Sequence, residues 1–577
     1  MGIFSRLAGA LSLLLLSALA AAPRAQQTPQ PAPPAEAGIP ITDTTVQTAC
    51  SPCHRPDDRG VMSRISFRRN TPEGWEATIR RMVALNGVKI EPATARDIVR
   101  YLSNHLGLAP EEVKPAAFEV ERRMIDFKYE ASRDAEQACT PCHSIGRVLL
   151  QRRTKADWQM LVDMHRGWYP LSDFQAFRRM GPPQREPGPD GRPPDNRHPV
   201  EKALEHLTAA FPLHTPEWAA WSATMRPPKL EGTWTLAGHE TGKGPLYGTV
   251  RIAQGAAPDE VATEIAFTYA RSGRQVSRKG RAIVYTGHQW RGRSTELATG
   301  TSNGHDETSL REVMAVERDW QTITGRWFSG GYDERGIDVT LRRSSGQPIV
   351  LGTNLMALRA GGPPHNVRVF AAGLPPDLTA KDVDFGPGVS IASVTAPTTA
   401  AVDIRVQVAP GAAVGPRDIV VAGAVRPGAV MIYDKVDYIK VAPEWAMARV
   451  GGVNFPKGLA YFEAVAYHNG RDGRANTRDD VALGLVDARW SLEEYSAVLN
   501  DEDLKYVGTI DAATGVFTPN AEGPNPQRPG NRNNIGDVWV VATYEPDAGT
   551  RALRARAHLL VTVPLYVRWG AESPSLP

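Results

Sequence analysis

Between residues 72 and 211 apolar side chains recur at three- and four-residue intervals, the spacing of an amphipathic helix. Trp75 to Leu85, Ala93 to Leu106 (with Ile98, Val99 and Leu102), Trp158 to Met164 and Val200 to Phe211 all follow it. The stretch Gly181 to Pro199 carries seven prolines and is predicted as a long surface loop. After Pro227 the period shortens to two, in brief runs separated by glycine-rich turns, which predicts strands.

Three β units follow from the turn signals. Gly232 to Leu236, Ala262 to Tyr269, Ala282 to Thr286 and Ile337 to Leu341 predict an antiparallel barrel or sandwich over 229–345. Val367 to Phe370, Val402 to Val408 and Ile419 to Val421 predict an immunoglobulin-like sandwich over 346–442. A C-terminal β domain over 443–577 has strands at Tyr461 to Tyr467, Val538 to Thr543 and His558 to Val563. Within it, Ser491 to Asn500 reads as a short helix, with Ser491 as N-cap and Glu493 and Glu494 in the first turn.

Ahead of these lies a helical domain, residues 26–228, entered through a Pro- and Ala-rich flexible start at 26–40. Residues 1–25 have the form of a secretory signal peptide: Arg6, an apolar run from Leu7 to Ala22, then small residues to Ala25. The apolar run is short for a membrane span, so the expectation is an exported periplasmic protein with no span. Net charge is +3, and Arg6 and Arg24 belong to the leader, so the remainder is near neutral. With no basic run, nucleic acid is excluded as a partner. No phosphate loop, H-E-x-x-H or G-x-S-x-G occurs. The segment Asn469 to Asp480 resembles a calcium loop only faintly and reads as a turn.

The chain has four cysteines, Cys50, Cys53, Cys139 and Cys142, in two C-x-x-C pairs, each followed at once by a histidine, His54 or His143. C-x-x-C-H attaches a c-type haem: two thiols reach the two vinyl groups on one porphyrin edge, and the next residue presents an imidazole to the iron. Redox C-x-x-C pairs, a zinc site and two disulfides are the alternatives. None needs a histidine after both pairs, and export with no spare cysteine favours haem.

The two segments repeat each other. Arg68-Arg69, Trp75 and Met82 follow the first motif; Arg152-Arg153, Trp158 and His165 follow the second, with seven residues from each Trp to Met82 or His165. The expected iron ligands are therefore His54 and Met82 for one haem, His143 and His165 for the other. Met62 rivals Met82, and Met160 and Met164 rival His165. His105 and His206 occupy matched helical positions and read as packing or surface residues. A thioether favours Fe(II) more than an imidazole does, so the Met82 haem is expected at the higher potential, with electrons entering at the His165 haem.

This arrangement resembles the large α (dihaem cytochrome c) subunit of quinohaemoprotein amine dehydrogenase. The resemblance runs over nearly all the chain after the leader. It is carried by both C-x-x-C-H motifs and by later stretches: Tyr433-Asp434-Lys435-Val436-Asp437, Ala448 to Gly452, Trp490 to Tyr495, Phe517-Thr518-Pro519 and Asn533 to Trp539. It implies a heterotrimer in which a small γ subunit carries cysteine tryptophylquinone and oxidises a primary amine to aldehyde and ammonia. It further implies a β-propeller β subunit and a soluble electron acceptor, either a copper protein or a cytochrome c. The present chain would supply two covalently bound haems and no catalytic residue, since it has no cysteine left for such a quinone. A stand-alone dihaem carrier and a dihaem peroxidase are the competing readings.

Overall fold

The structure is a computed structural model and describes residues 36–117, 129–187, 191–297, 309–329, 335–452, 454–495, 501–547 and 549–564. The leader and the start of the flexible segment lie outside them. The chain divides into Met1–Gly38, of which only Glu36–Gly38 is described, as coil, and Ile39–Pro577, which holds everything below.

The helical domain is two copies of one motif. Helix α1 (Thr44–Cys50), strand β1 (Arg68–Asn70), α2 (Pro72–Asn86) and α3 (Pro92–His105) form the first copy. The short α4 (Pro110–Val113) links it to α5 (Arg133–Cys139), α6 (Gly146–Leu149), β2 (Gln151–Arg153), α7 (Lys155–Trp168) and α8 (Pro199–Ala210). Local chemistry repeats with the fold. Thr71 and Thr154 cap α2 and α7, their hydroxyls accepting from the amides of Gly74 and Asp157 at 3.3 and 3.2 Å. Trp75 and Trp158 are almost wholly buried, and each indole N–H donates to a carbonyl after the last helix of its copy, Leu106 or Phe211, at 3.2 Å. A further helix, α9 (Pro216–Thr224), was not legible in the apolar spacing.

The copies join through a two-stranded antiparallel ribbon in which Arg69 faces Arg152 and Arg68 faces Arg153. Counted from Trp75 and Trp158, Arg69 and Arg152 are equivalent residues, so the ribbon has a local twofold between them. Glu112, from α4, sits there. Its carboxylate takes Arg69 Nη1 and Nη2 at 2.7 and 2.8 Å and Arg152 Nε at 3.1 Å.

Eight strands then close into an up-and-down barrel: β3 (Gly232–Glu240), β4 (Gly244–Gln254), β5 (Glu260–Tyr269), β6 (Gln275–Tyr285), β7 (Gln289–Glu296), β8 (Ser309–Val316), β9 (Thr322–Ser329) and β10 (Arg335–Arg343), with β10 pairing back onto β3. Alternate residues point inward, and Trp234, Trp290, Trp327, Leu246 and Ile265 fill the interior, so the barrel is a packed core. Its wall is tied to the helical domain. The Trp221 indole donates to Thr286 O at 2.9 Å, buried His288 donates to Leu108 O at 3.0 Å, and Arg100 pairs with Asp259 at 3.2 Å.

Residues 349–433 form two four-stranded sheets packed face to face over Val367, Val369, Phe385, Ile404 and Ile432. The last domain, from Tyr438, has sheets of three, four and three strands. Two details depart from expectation. Pairing in these domains is not wholly antiparallel: Ala357–Arg359 runs parallel to Met431–Tyr433, and Trp445–Arg449 parallel to His558–Thr562. In both, a strand near the domain's start pairs with its last long strand, the long separation a parallel pairing requires. Of the helix expected over Ser491 to Asn500, residues 496–500 lie outside the described residues, and Ser491 to Glu494 instead belong to a strand, Arg489–Glu494, paired with Val538–Thr543. The capping signal there is real but local. Trp490 is buried while Arg489 and Ser491 are exposed, and pairing across a sheet outweighs a helix too short to stand alone.

Candidate haem sites

Both C-x-x-C-H motifs begin at the C-terminus of a seven-residue helix. Cys50 ends α1, and the amides of Cys53 and His54 donate back to its carbonyl at 3.2 and 2.8 Å. Cys139 ends α5, capped at its other end by Ser132. This turn leaves the first cysteine of each pair half-buried and the second exposed, and none of the four is in a disulfide. Burial pushes the Cys50 thiol up, with Cys53 adding to it, and the Cys139 thiol up to about 12.

The second motif meets α7. The rings of His143 and His165 lie with centroids 6.4 Å apart, inclined at 52°. Two imidazoles ligating one metal from opposite sides at about 2 Å each place their ring centres about 6 Å apart, each centre lying about 1 Å beyond its nitrogen. The spacing fits. So do the tautomers: Nδ1 of His165 donates to Leu161 O at 2.7 Å, and Nδ1 of His143 donates to Ser144 O at 2.9 Å. Each neutral ring is left with its lone pair on Nε2, the arrangement that orients metal-bound histidine. Burial lowers His143 to about 4, against the Ser144 carbonyl and with Arg147 and His165 adding to it, and it lowers His165 likewise. Phe177 and Tyr169 stand about the His165 ring, with centroids 6.1 and 6.0 Å away. Met160 and Met164 are half-buried on α7.

In the first copy His54 is half-buried and its Nδ1 finds no hydrogen-bond partner. Burial lowers its pKa, with the Ser63 backbone opposing and Arg68 and Arg64 adding to the fall. Met82 is half-buried on α2 at the position His165 holds on α7, its sulfur 3.7 Å from Asn86 Nδ2. Met62 is fully buried in the core with Trp75, Ile98 and Leu102. His105 and His206 are engaged elsewhere: His105 Nε2 with Pro40 O at 2.6 Å, and His206 Nε2 with the Tyr129 hydroxyl at 2.7 Å.

Two other features lie apart from these motifs. A cleft of 1510 Å³ between α2, α3 and the barrel wall is lined by Glu73, Glu76, Arg96, Arg281, Arg293 and Arg311 among others, and none of the haem-motif residues reaches it. Asp472, Asp479 and Asp480 converge on the surface, but Asp479 and Asp480 are occupied closing their own turn. Asp479 accepts from the amides of Arg471 and Asp472, and Asp480 from that of Thr477.

The sequence matches four family models, all of one protein. They are quinohemoprotein amine dehydrogenase A, alpha subunit, haem binding, at residues 41–181; alpha subunit domain II at 227–344; domain III at 350–434; and domain IV at 439–572. Among solved structures, a redesigned β barrel is 17% identical, with 20% of this chain and 92% of that chain covered and a TM-score of 0.17. The I9-I11 tandem from titin is 10% identical, covering 54% of this chain and 99% of that chain, with a TM-score of 0.10. No curated protein matches. With a haem-binding domain and three β domains aligned in order along one chain, this protein belongs to the quinohemoprotein amine dehydrogenase alpha-subunit family.

Proposed function

We propose that this chain is the electron-transfer subunit of a periplasmic quinohaemoprotein amine dehydrogenase. It takes electrons from a cysteine tryptophylquinone on a partner subunit and passes them through two c-type haems to a soluble acceptor. The observation that carries the reading is the His143–His165 pair, which has the spacing and tautomers of two ligands to one iron. The leader around Arg6 supports export, and the family supports partner subunits.

Cys50 and Cys53 would hold one haem, with His54 and Met82 as iron ligands. Cys139 and Cys142 would hold the other, with His143 and His165. A haem so held supplies a one-electron couple that turns over without making or breaking bonds. The chain's own part is to keep that couple fixed. Leu161 O and Ser144 O lock the two imidazoles in one tautomer and orientation, and Trp75 and Trp158 anchor α2 and α7, which carry Met82 and His165. If His143 and His165 both hold the iron, the second site would favour electron transfer over peroxidase chemistry, which needs a releasable ligand.

The test is native purification followed by anaerobic addition of a simple primary amine while the haem α-band is watched. Reduction of the haems, with smaller chains co-purifying, is the expected result. Reduction by dithionite alone, in a chain that purifies without partners, would make a stand-alone dihaem carrier the better account.

A further inference from the structure

Adjacent residues on a strand point to opposite faces, so the ribbon between the two copies has two arginine faces. One, Arg69 with Arg152, shares the Glu112 carboxylate, one negative charge for two positive. The other, Arg68 with Arg153, has one carboxylate as well, Asp157, but two further arginines crowd onto it. Residues directly opposite each other in an antiparallel pair hold their side chains close, and like charges there are destabilising. Arg153 pairs with buried Asp157, and exposed Arg64 approaches the same carboxylate at 3.8 Å. Arg68 lies over the Trp75 ring at 4.6 Å, with its Nε buried and without a hydrogen-bond partner. Arg81, on α2, finds only the Thr78 hydroxyl at 3.2 Å. Among the described residues no carboxylate pairs with Arg68 or Arg81. Four guanidiniums thus share one aspartate on this face.

The face is also where the two sites meet. Arg68 and Arg64 act electrostatically on His54, and Arg81 and Arg153 act on His165. The positive charge therefore borders one iron ligand of each copy. A fold gains nothing from uncompensated buried cations, which cost several kcal/mol each. Arginine in such numbers is the residue for binding carboxylates by paired N–H donors.

We propose that Arg64, Arg68, Arg81 and Arg153 form a cradle for haem propionate carboxylates, bringing the propionate edges of the two haems to one ribbon. The proposal rests on the dihaem reading above. It adds negative charge to the second arginine face, where Asp157 alone serves four guanidiniums. It also gives the ribbon a role in coupling the haems: the same cations that bind propionates stabilise the reduced, less positive irons.

The test uses the full chain exported and loaded with haem. Haem content per chain is measured first by pyridine haemochrome, then the propionate bending bands by resonance Raman and each midpoint potential by titration. Arg68→Gln and Arg81→Gln are each expected to shift a propionate band and lower a midpoint. Arg68→Lys should keep most of the potential while still moving the band. Arg80→Gln, on the same helix but paired with Glu76, should change neither. If Arg68→Gln does not fold, Arg68→Lys and Arg81→Gln carry the same comparison. Two haems with unmoved bands in these variants would overturn the cradle and leave the electron-transfer reading intact, whereas a chain without covalent haem would overturn both.

Discussion

Glu112→Gln is the sharpest perturbation of the helical domain, because one side chain on the local twofold carries both copies. Arg69 is fully buried and Arg152 nearly so. Glu112 meets Arg69 through two charge-assisted bonds and Arg152 through a third, and accepts the Thr215 hydroxyl and the Ala109 amide at 2.8 Å each. Glutamine fills the same volume but removes the charge and turns an N–H₂ toward two guanidiniums. Removing one partner of a buried ion pair costs about 3–5 kcal/mol, or about two to four orders of magnitude in the opening equilibrium. The loss should appear in urea unfolding followed by haem absorbance. That signal reports this domain, whereas the whole 577-residue chain is not two-state.

The pH dependence has a fixed sign. Burial alone would raise the Glu112 pKa, but the hydrogen bonds and charges of Arg69 and Arg152 hold it below the usual value. A depressed carboxyl stabilises the fold fully above the unfolded pKa of about 4.3 and loses that contribution as pH falls through the folded value. Wild type and Glu112→Gln should therefore differ most near neutrality and converge on acidification. In Arg69→Gln/Glu112→Gln the loss should be smaller than the sum of the single variants, since a stranded charge has been removed with its partner. A deficit below about 1 kcal/mol, or one constant from neutral to acid pH, would refute the reasoning.

Other outcomes follow from the same structure. Cys139→Ser/Cys142→Ser should lose one covalent haem and keep the other, read by haem stain and pyridine haemochrome. His165→Ala should turn one haem high-spin and open to carbon monoxide, while Met164→Leu leaves it low-spin. Met82→Ala should abolish the methionine–iron charge-transfer band and lower that haem's midpoint, while Met62→Leu preserves both. Between the barrel and the last domain, His239 bonds Glu463 at 2.9 Å, and Glu463 also accepts the Gly242 amide at 3.0 Å. Burial pulls the imidazolium down, but the Glu463 hydrogen bond and charge lift it above its ordinary value. That contact is strongest below the unfolded histidine pKa of about 6.5 and weakens as pH rises through the folded value. Hydrogen exchange at Gly242, corrected for intrinsic rate, should rise across that window in wild type and not in His239→Gln.

What was legible in the chain tracks how local each signal is. C-x-x-C-H is contiguous, so the two motif turns that end α1 and α5 could be located from spacing alone. The approach of His165 to His143 was reachable because α7 repeats the interval from tryptophan to Met82 on α2. The ribbon was not, since β1 and β2 are three residues each and about 80 apart, with no apolar alternation to mark them. Its meaning was hidden too: Arg68-Arg69 and Arg152-Arg153 read only as repeated basic pairs until their register showed which arginine faces which. At Ser491 a genuine helix-start pattern was overruled by Trp490, whose burial fits the period-two alternation already present from Arg489 to Leu492.

The ribbon also explains how two copies of one motif are held as one helical domain. Each copy closes its own core around Trp75 or Trp158, and two such cores on a flexible tether would leave the distance between the two C-x-x-C-H motifs undefined. Electron transfer falls steeply with distance, so a carrier gains from fixing that distance rather than from more apolar burial. A buried carboxylate between two arginines is a poor way to add stability, since an apolar replacement often does as well. It is a good way to set register, because a slip of one residue would turn Arg69 and Arg152 to the opposite face and strand Glu112. If that is its role, replacing Glu112, Arg69 and Arg152 together with leucine or methionine should restore much of the stability lost in Glu112→Gln while the electronic coupling between the haems, read as their splitting in low-temperature circular dichroism, becomes weaker or heterogeneous. Restored stability with unchanged coupling would show that packing alone fixes the two copies.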